Sequence, residues 1–325
     1  MICLGIESTA HTFGCGIVDD RGRVLANVKD SYITEKGGIN PVHAKLHHET
    51  VKDKVVDNAL AKAGLRLADI NLISFSQGPG IGPCLWVGLH KAVDIAKKNN
   101  VPIVGVNHCI AHLEIGKLKT RAKNPVLLYV SGANTQVIAF ESGKYRIFGE
   151  TLDQGIGNFI DSFARYMGLG FPGGPKIEKL ALGGKSYIDL PYVIKGMDVS
   201  FSGILTNLKK KIDSKNYKTG DLCFSMQETV FAMMVEIAER AMAHCNKKEL
   251  VLGGGVACNK RLQEMCRIMC DERNADFFVP DNEFLLDNGA MISWLGILQR
   301  NQAKKDYRGT RIRPYERTDE VKVDW

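Results

Sequence analysis

The chain has 325 residues, 45% of them apolar and 24% charged, the balance of a globular protein long enough for two domains of ordinary size. No apolar run reaches the roughly 18 residues of a membrane helix, so no membrane partner is expected. The opening MICLGIES lacks the basic stretch of a signal peptide and reads as a first strand, which points to the cytoplasm. A net charge of +7 permits a polyanionic partner without demanding one.

The stretch from Cys3 to Ala26 reads strand, small polar turn, strand, tight turn, strand. The stretch from Leu127 to Gly149 reads the same way, Ile6 matching Val130 and Leu25 matching Phe148. This internal repeat predicts two β-meanders, each opening a lobe: one over residues 1–125, the other over 126–325. Asn124-Pro125 is a turn signal between them.

Within the first lobe, residues 34–49 form a Gly/Pro-led loop entering a helix that runs to about Gly64, an insertion over 34–64. INLISFSQGPG predicts a strand closed by a Gly-Pro turn, residues 84–98 a helix, VPIVGV a buried strand and His108 to Lys117 a short helix. In the second lobe, helices are expected at about 155–168 and 174–183, then a β-rich piece around DVSFSG and a basic helix, NLKKKID. Asp221 looks like the N-cap of a long helix reaching about Lys247. LVLGGGVACN predicts strand, glycine turn and helix, DFFVP a strand, and a last helix starts near Asp287, free to pack back on the first lobe. Strands alternating with helices make this an α/β fold with largely parallel sheets beyond the meanders.

Four glycine turns stand out. YVSGANTQ offers the backbone N–H groups of Ser131, Gly132 and Ala133 as a phosphate cradle after Tyr129 and Val130. DQGIGNFID places Asp161 on the helix after a second turn, and GLGFPGGPKIEKL supplies Gly174 and then Glu178, a carboxylate suited to ribose hydroxyls. LVLGGGVACNKRLQ leads to Asn259, a side chain able to bond a purine or ribose. Any one such turn is equally well a close-packed strand–helix connection; four in one lobe describe a nucleotide clamp. No GxxxxGK[ST] motif is present, so the clamp is not a P-loop.

In VNHCIAHLE, His108 and His112 fall four apart, on one face of a helix. A zinc protease has a glutamate directly after the first histidine, where this chain has Cys109. The pair is either satisfied core or a metal site, with Tyr129 and Asp287 as candidate further ligands. That nitrogen- and oxygen-donor set suits Fe or Zn better than a cysteine-type structural zinc. His43, His47 and His48 form a second group, read as solvated or packed rather than ligating. The nine scattered cysteines lack a CxxC pair; Cys266 and Cys270 share a helix face and read mainly as packing. The Lys209–Lys211 run and RGTRIRPYER are open to phosphate contact, but more often such runs are solvated faces.

A duplicated meander with a nucleotide cleft between two lobes resembles the fold shared by actin, the heat-shock chaperone ATPases and sugar kinases. Within that fold, NHCIAHLEIG, YVSGANTQVI, DQGIGNFIDSFAR, GLGFPGGPKIE, VSFSG and LVLGGGVACN resemble the universal tRNA threonylcarbamoyladenosine transferases, essentially end to end. SGANTQ, FPGGPKIE and NHCIAHLE are similar to the archaeal and eukaryotic branch, the catalytic subunit of the KEOPS complex. The bacterial branch has a histidine where this chain has Asn134, and an acidic pair where it has His11 and Thr12.

The resemblance implies transfer of a threonylcarbamoyl group from threonylcarbamoyl-adenylate to the exocyclic amine of the adenosine 3′ of the anticodon, in tRNAs reading ANN codons. It implies one divalent metal ion, Fe or Zn, on His108, His112, Tyr129 and Asp287. It also implies nucleotide contacts (adenylate, ATP or AMP) on Tyr129, Val130, Ser131, Gly132, Ala133, Asp161, Gly174, Glu178 and Asn259. Asp161 is a further candidate, as an orienting group or base. Implied partners are tRNA, a kinase-like ATPase (fused behind this domain in some archaeal members), a dimerising subunit and a tRNA-binding subunit. Three competing readings remain open at this level: a metalloprotease built on the HxxxH pair, an ATPase or kinase of the same fold, and a non-catalytic scaffold or DNA-binding protein.

Overall fold

The computed structural model describes residues 1–34 and 38–325; Glu35, Lys36 and Gly37 of the loop expected from residue 34 lie outside the described residues. The first meander is β1 (Ile2–Glu7), β2 (Thr12–Asp19) and β3 (Val24–Ser31), paired antiparallel in sequence. β1 and β2 are buried almost throughout, so ICLGIE and TFGCGIVD read as nearly continuous apolar runs rather than alternating ones. Helix α1 (Pro41–Ala63) covers one face of this sheet. Asn40 caps it through Oδ1, Pro41 opens it, and Gly64 ends it at φ 66°, a left-handed conformation that favours glycine.

β4 (Leu72–Gly78), α2 (Gly82–Asn99), β5 (Ile103–Asn107) and α3 (His108–Lys119) follow. β4 joins β1 in parallel and β5 joins β4, giving the order β3-β2-β1-β4-β5.

The second unit repeats this plan. β6 (Val126–Val130), β7 (Thr135–Glu141) and β8 (Lys144–Glu150) form its meander. Helices α4 (Ile156–Tyr166) and α5 (Gly174–Ala181), a short ribbon of β9 (Ile194–Lys195) and β10 (Asp198–Val199), and helices α6 (Ser202–Ser214) and α7 (Thr219–His244) come next. β11 (Glu249–Gly253), α8 (Lys260–Glu272), β12 (Asp276–Phe278) and the single turn α9 (Asn282–Leu285) complete it. β11 lies parallel to β6 and β12 to β11, so the order is β12-β11-β6-β7-β8, the topology of the first sheet. Each unit has its own apolar core: Leu4, Ile6, Phe13, Ile73 and Phe75 lie in the first, Phe159, Phe163, Phe201, Met226 and Phe231 in the second.

One expectation is corrected. Asp221 is not the cap of α7: the helix starts at Thr219, and the Asp221 carboxylate accepts the N–H groups of Lys185 (2.7 Å) and Ser186 (3.1 Å) from a distant loop. Against the expected division near residue 125 with a last helix free to pack back, the compact units divide at Lys119/Thr120, and Leu286–Trp325 returns to the first.

The physical reason for that return is helix α10 (Gly289–Leu298). It lies backbone against backbone on β1 and β2: a Cβ on Gly16 would sit 2.1 Å from Ala290 N, and one on Gly5 would sit 2.2 Å from Ser293 N. Only glycines admit such an approach. Ser293 Oγ donates to Cys3 O at 2.8 Å and Ser74 Oγ to Ile292 O at 2.9 Å, fixing the helix along its axis. Asn288 caps it by accepting the Met291 N–H, which sets Asp287 immediately before its first turn.

Candidate metal centre

Three segments of the first unit meet at one point: the end of β1, the start of α3 and the residue before α10. Helix α3 begins directly after β5 because Asn107 caps it, Oδ1 accepting the N–H groups of Cys109 (3.0 Å) and Ile110 (3.2 Å). Asn107 is itself held by Glu316, which accepts its Nδ2 at 3.1 Å and the Arg313 guanidinium at 2.7 Å. Arg313 N–H in turn donates to Gln77 O at 2.7 Å. RGTRIRPYER is therefore a strap tying the tail to β4 and β5.

His108 and His112 are buried on α3, their rings edge to face with centroids 4.8 Å apart. Each Nε2 lies 3.4 Å from Asp287 Oδ1. One donor atom from each of the three residues falls within 4.8 Å of the others, and this is the one such group among the described residues. Burial disfavours charge on His108, but the attraction of Glu7 and the hydrogen bonds to Asp287 and Glu7 outweigh it and hold the imidazolium well above its usual range. Burial, with His108 beside it, pushes His112 down, so one of the pair stays neutral. Asp287 is held well below the ordinary carboxylate range: burial alone would raise it, and the hydrogen bonds from His108 and His112 prevail.

This donor set fits a divalent ion. Two imidazoles and a carboxylate converge, and the nitrogens face the carboxylate oxygen. Cys109, at the position where a zinc protease has its general base, is buried with its thiol pushed up to about 11, so it offers no base at neutral pH. Of the expected ligands the structure brings together His108, His112 and Asp287. Tyr129 belongs to the second unit, buried near the end of β6. The sequence reading missed Glu7 and Thr9 behind His108; a carboxylate ending an otherwise apolar strand was the available signal.

In the second unit the glycine turns gather at the C-terminal ends of the parallel pair β6 and β11. A Cβ on Gly155 would sit 2.3 Å from Gly132 O, one on Gly157 2.7 Å from Gly132 Cα, and one on Gly254 2.4 Å from Val130 O. The start of α4 and the 253–255 turn thus close directly on the turn after Tyr129 and Val130. The Ser131 N–H is committed to Asn134 O at 2.9 Å, which leaves Gly132 and Ala133 as amide donors of the expected three.

The other expected contacts have structural work. Asp161 Oδ1 accepts the Gly173 N–H at 2.7 Å, and Glu178 Oε1 accepts the Lys260 N–H at 2.8 Å. Asn259 caps α8 through Oδ1 and donates Nδ2 to Gln227 at 2.7 Å. Gly174, by contrast, has no heavy atom within 4 Å of its absent Cβ, so open space lies beside its backbone. Lys209 and Lys211 lie over the rings of Tyr166 and Tyr217, and Cys266 and Cys270 are buried thiols with raised pKa values.

Two sheets of one topology, each opening on a meander, define the class: the two-unit α/β fold of actin, the chaperone ATPases and sugar kinases. Solved structures agree. HypF from T. kodakarensis superposes with a TM-score of 0.66 at 16% identity, over 93% of this chain and 48% of its own length. Component A of the Acidaminococcus fermentans (R)-2-hydroxyglutaryl-CoA dehydratase does so at 0.55 and 11%, over 91% and 98%.

The sequence is more specific. Residues 23–294 match the profile of TsaD, tRNA N6-adenosine threonylcarbamoyltransferase. The tRNA N6-adenosine threonylcarbamoyltransferase of Thermococcus kodakarensis is 55% identical over the full length of both chains. A probable bifunctional tRNA threonylcarbamoyladenosine biosynthesis protein of Methanobrevibacter smithii is 52% identical over the whole of this chain, which spans 60% of that protein. The chain belongs to the TsaD family, and its activity is threonylcarbamoyl transfer to N6 of a tRNA adenosine. The protease and kinase readings are not favoured.

Proposed function

We propose that the chain takes the threonylcarbamoyl group from threonylcarbamoyl-adenylate and passes it to the exocyclic amine of the adenosine 3′ of the anticodon in tRNAs reading ANN codons. The amine nitrogen bonds to the carbamoyl carbon, the carbon–oxygen bond to the phosphate breaks, AMP departs, and the amine nitrogen gives up one proton to solvent. The observation carrying this reading is the convergence of His108, His112 and Asp287 on one buried point. With Tyr129 they would hold one divalent ion, Fe or Zn, whose chemistry there is that of a Lewis acid and template.

The rest falls to the chain's own groups. The Gly132 and Ala133 amides bind the adenylate phosphate beside Val130 and Ser131. Gly174 lets the nucleotide approach the backbone, and Glu178, Asn259 and Asp161 contact it from the turns around it. An aromatic amine needs little deprotonation before it attacks, so holding and orienting the two reactants supplies most of the rate. Excluding water protects the mixed anhydride from hydrolysis. The target base is read unstacked, in its loop. We further propose a cytoplasmic enzyme working within KEOPS, beside the kinase-like ATPase, the dimerising subunit and the tRNA-binding subunit; no described helix is long and apolar enough to cross a membrane.

The test is a transfer assay with threonylcarbamoyl-adenylate, unmodified tRNA and the partner subunits, comparing wild type with His112→Ala. Mass spectrometry of digested tRNA should show the modified nucleoside with wild type and almost none with the variant. Equal product from both would remove the metal centre from the reaction.

A further inference from the structure

Glu7 is the last residue of β1 and is fully buried, although it is a carboxylate. Burying an unpaired carboxylate costs several kcal/mol, so its partners reveal why it is tolerated. Oε1 accepts the Thr9 N–H at 2.6 Å and the Thr9 hydroxyl. Oε2 lies 3.0 Å from His108 Nδ1. His108 is its one cationic partner; no lysine or arginine among the described residues pairs with it. The other ring nitrogen, Nε2, faces Asp287 at 3.4 Å.

The two ring nitrogens therefore have different fates. Glu7 is an acceptor only, so Nδ1 must carry a hydrogen. Nε2, which faces Asp287, is then the nitrogen that can give up its hydrogen and offer a lone pair to an ion held with Asp287 and His112. Thr9 locks the carboxylate rotamer by occupying its other oxygen, so the ring cannot turn without breaking both contacts. A metal-binding imidazole commonly has its second nitrogen fixed in this way, which orients the ring and makes it the more basic ligand.

From this we infer that Glu7 is a positioning residue: it accepts the Nδ1 hydrogen of His108, presents Nε2 to the ion, and sets the strength with which the ion is held. The inference rests on the reading of His108 as a ligand. Glu7 itself stays out of reach of substrate, its oxygens being used by His108 and Thr9.

The test is Co²⁺ binding by the purified full chain, followed by visible absorption and by competition against a chelator. Glu7→Gln keeps the side-chain shape and removes the charge. It should weaken Co²⁺ binding about 10- to 100-fold while leaving the absorption bands of the bound ion in place. Unchanged affinity in Glu7→Gln overturns the inference and leaves Glu7 a structural brace of the β1–β2 turn.

His108→Ala should lose the wild-type bands. If it binds Co²⁺ as tightly as wild type, the metal-centre reading itself fails and the role of Glu7 falls with it. A second measurement needs no variant, and so survives misfolding of Glu7→Gln. In Zn²⁺-loaded, ¹⁵N-histidine-labelled wild type, a long-range ¹H–¹⁵N spectrum should show His108 protonated on Nδ1 and metal-bound on Nε2. The opposite assignment refutes the inference.

Discussion

Helices α1 and α3 carry histidines at the same spacing: His43 and His47 on one, His108 and His112 on the other. Spacing alone does not distinguish the pairs, yet their surroundings differ entirely. Every residue of α3 from His108 to Gly116 is buried, and its histidines face the carboxylates of Glu7 and Asp287. On α1, His43 and His47 lie against the Tyr32 ring at 6.5 and 6.2 Å, and Asp30, the acid paired with His47, is exposed. Spacing brings two imidazoles onto one face. Whether they become a site depends on what other elements bring opposite them, and whether water is excluded there.

The sharpest way to break this comparison is to delete one histidine pair at a time. Asp287→Ala, or alanine at both α3 histidines, should lower transfer about 1,000-fold or more, the several kcal/mol that an ion contributes to transition-state charge. The double variant His43→Ala/His47→Ala should keep Co²⁺ affinity within about twofold of wild type by chelator competition. A comparable loss of affinity from the α1 double variant would show that the two pairs are not different in kind.

Next in size is the scaffold that delivers Asp287. Gly289→Ala would place a methyl 2.1 Å from Gly16 N, between a helix and a sheet that touch through their backbones. Neither backbone can yield cheaply, so urea denaturation should show a loss of about 3 kcal/mol. Asp287, two residues away, should move with the helix, so Co²⁺ affinity should fall too. Stability lost with affinity intact would mean that α10 does not set the carboxylate.

Proton competition should give a smaller, graded effect. Metal-free His108 holds its proton well above the usual imidazole range because Glu7 and Asp287 flank it, and an ion must displace that proton. Affinity should rise with pH, by up to about tenfold per unit, across the neutral range in which His108 is still protonated. A flat profile over that window would show that no such proton is displaced.

The fold was legible where local pattern suffices. The two meanders repeat their apolar order, and the sheets repeat their topology. The helix ends at Asn40 and Gly64 are written in residues that cap helices for known reasons. Asp221 deceived because an aspartate before a helical run is as well suited to capping a distant loop, and only tertiary structure chose. For the site, the i, i+4 pair was visible, but Glu7 is 101 residues from His108 and their meeting depends on β1 and β5 flanking β4. Likewise Asp161 and Glu178 were visible as candidate ligand contacts, but their hydrogen bonds to the Gly173 and Lys260 N–H groups were not, because only the fold joins them.

His48 supplies the last and smallest contrast. It shares α1 with His43 and His47 but points inward, fully buried, with its ring edge-on to Phe13 at 5.6 Å. Burial first, then the nearby His47 and His11, push its pKa down to about 3 from an ordinary 6.5. The sign is opposite to that of His108. A depressed imidazole is neutral in the folded chain and protonated in the unfolded one once pH falls below 6.5, so acid favours unfolding. Between pH 7 and pH 5.5 this one group should cost about 1 kcal/mol of stability. Urea denaturation of metal-free protein at both pH values, wild type against His48→Gln, isolates it, because every other titrating group is common to the two chains. The variant should lose about 1 kcal/mol less than wild type on acidification, whatever its stability at pH 7. Equal losses would mean that His48 reaches water and takes up its proton without unfolding, which would place it with the solvated histidines of α1 and not with buried groups such as those of α3.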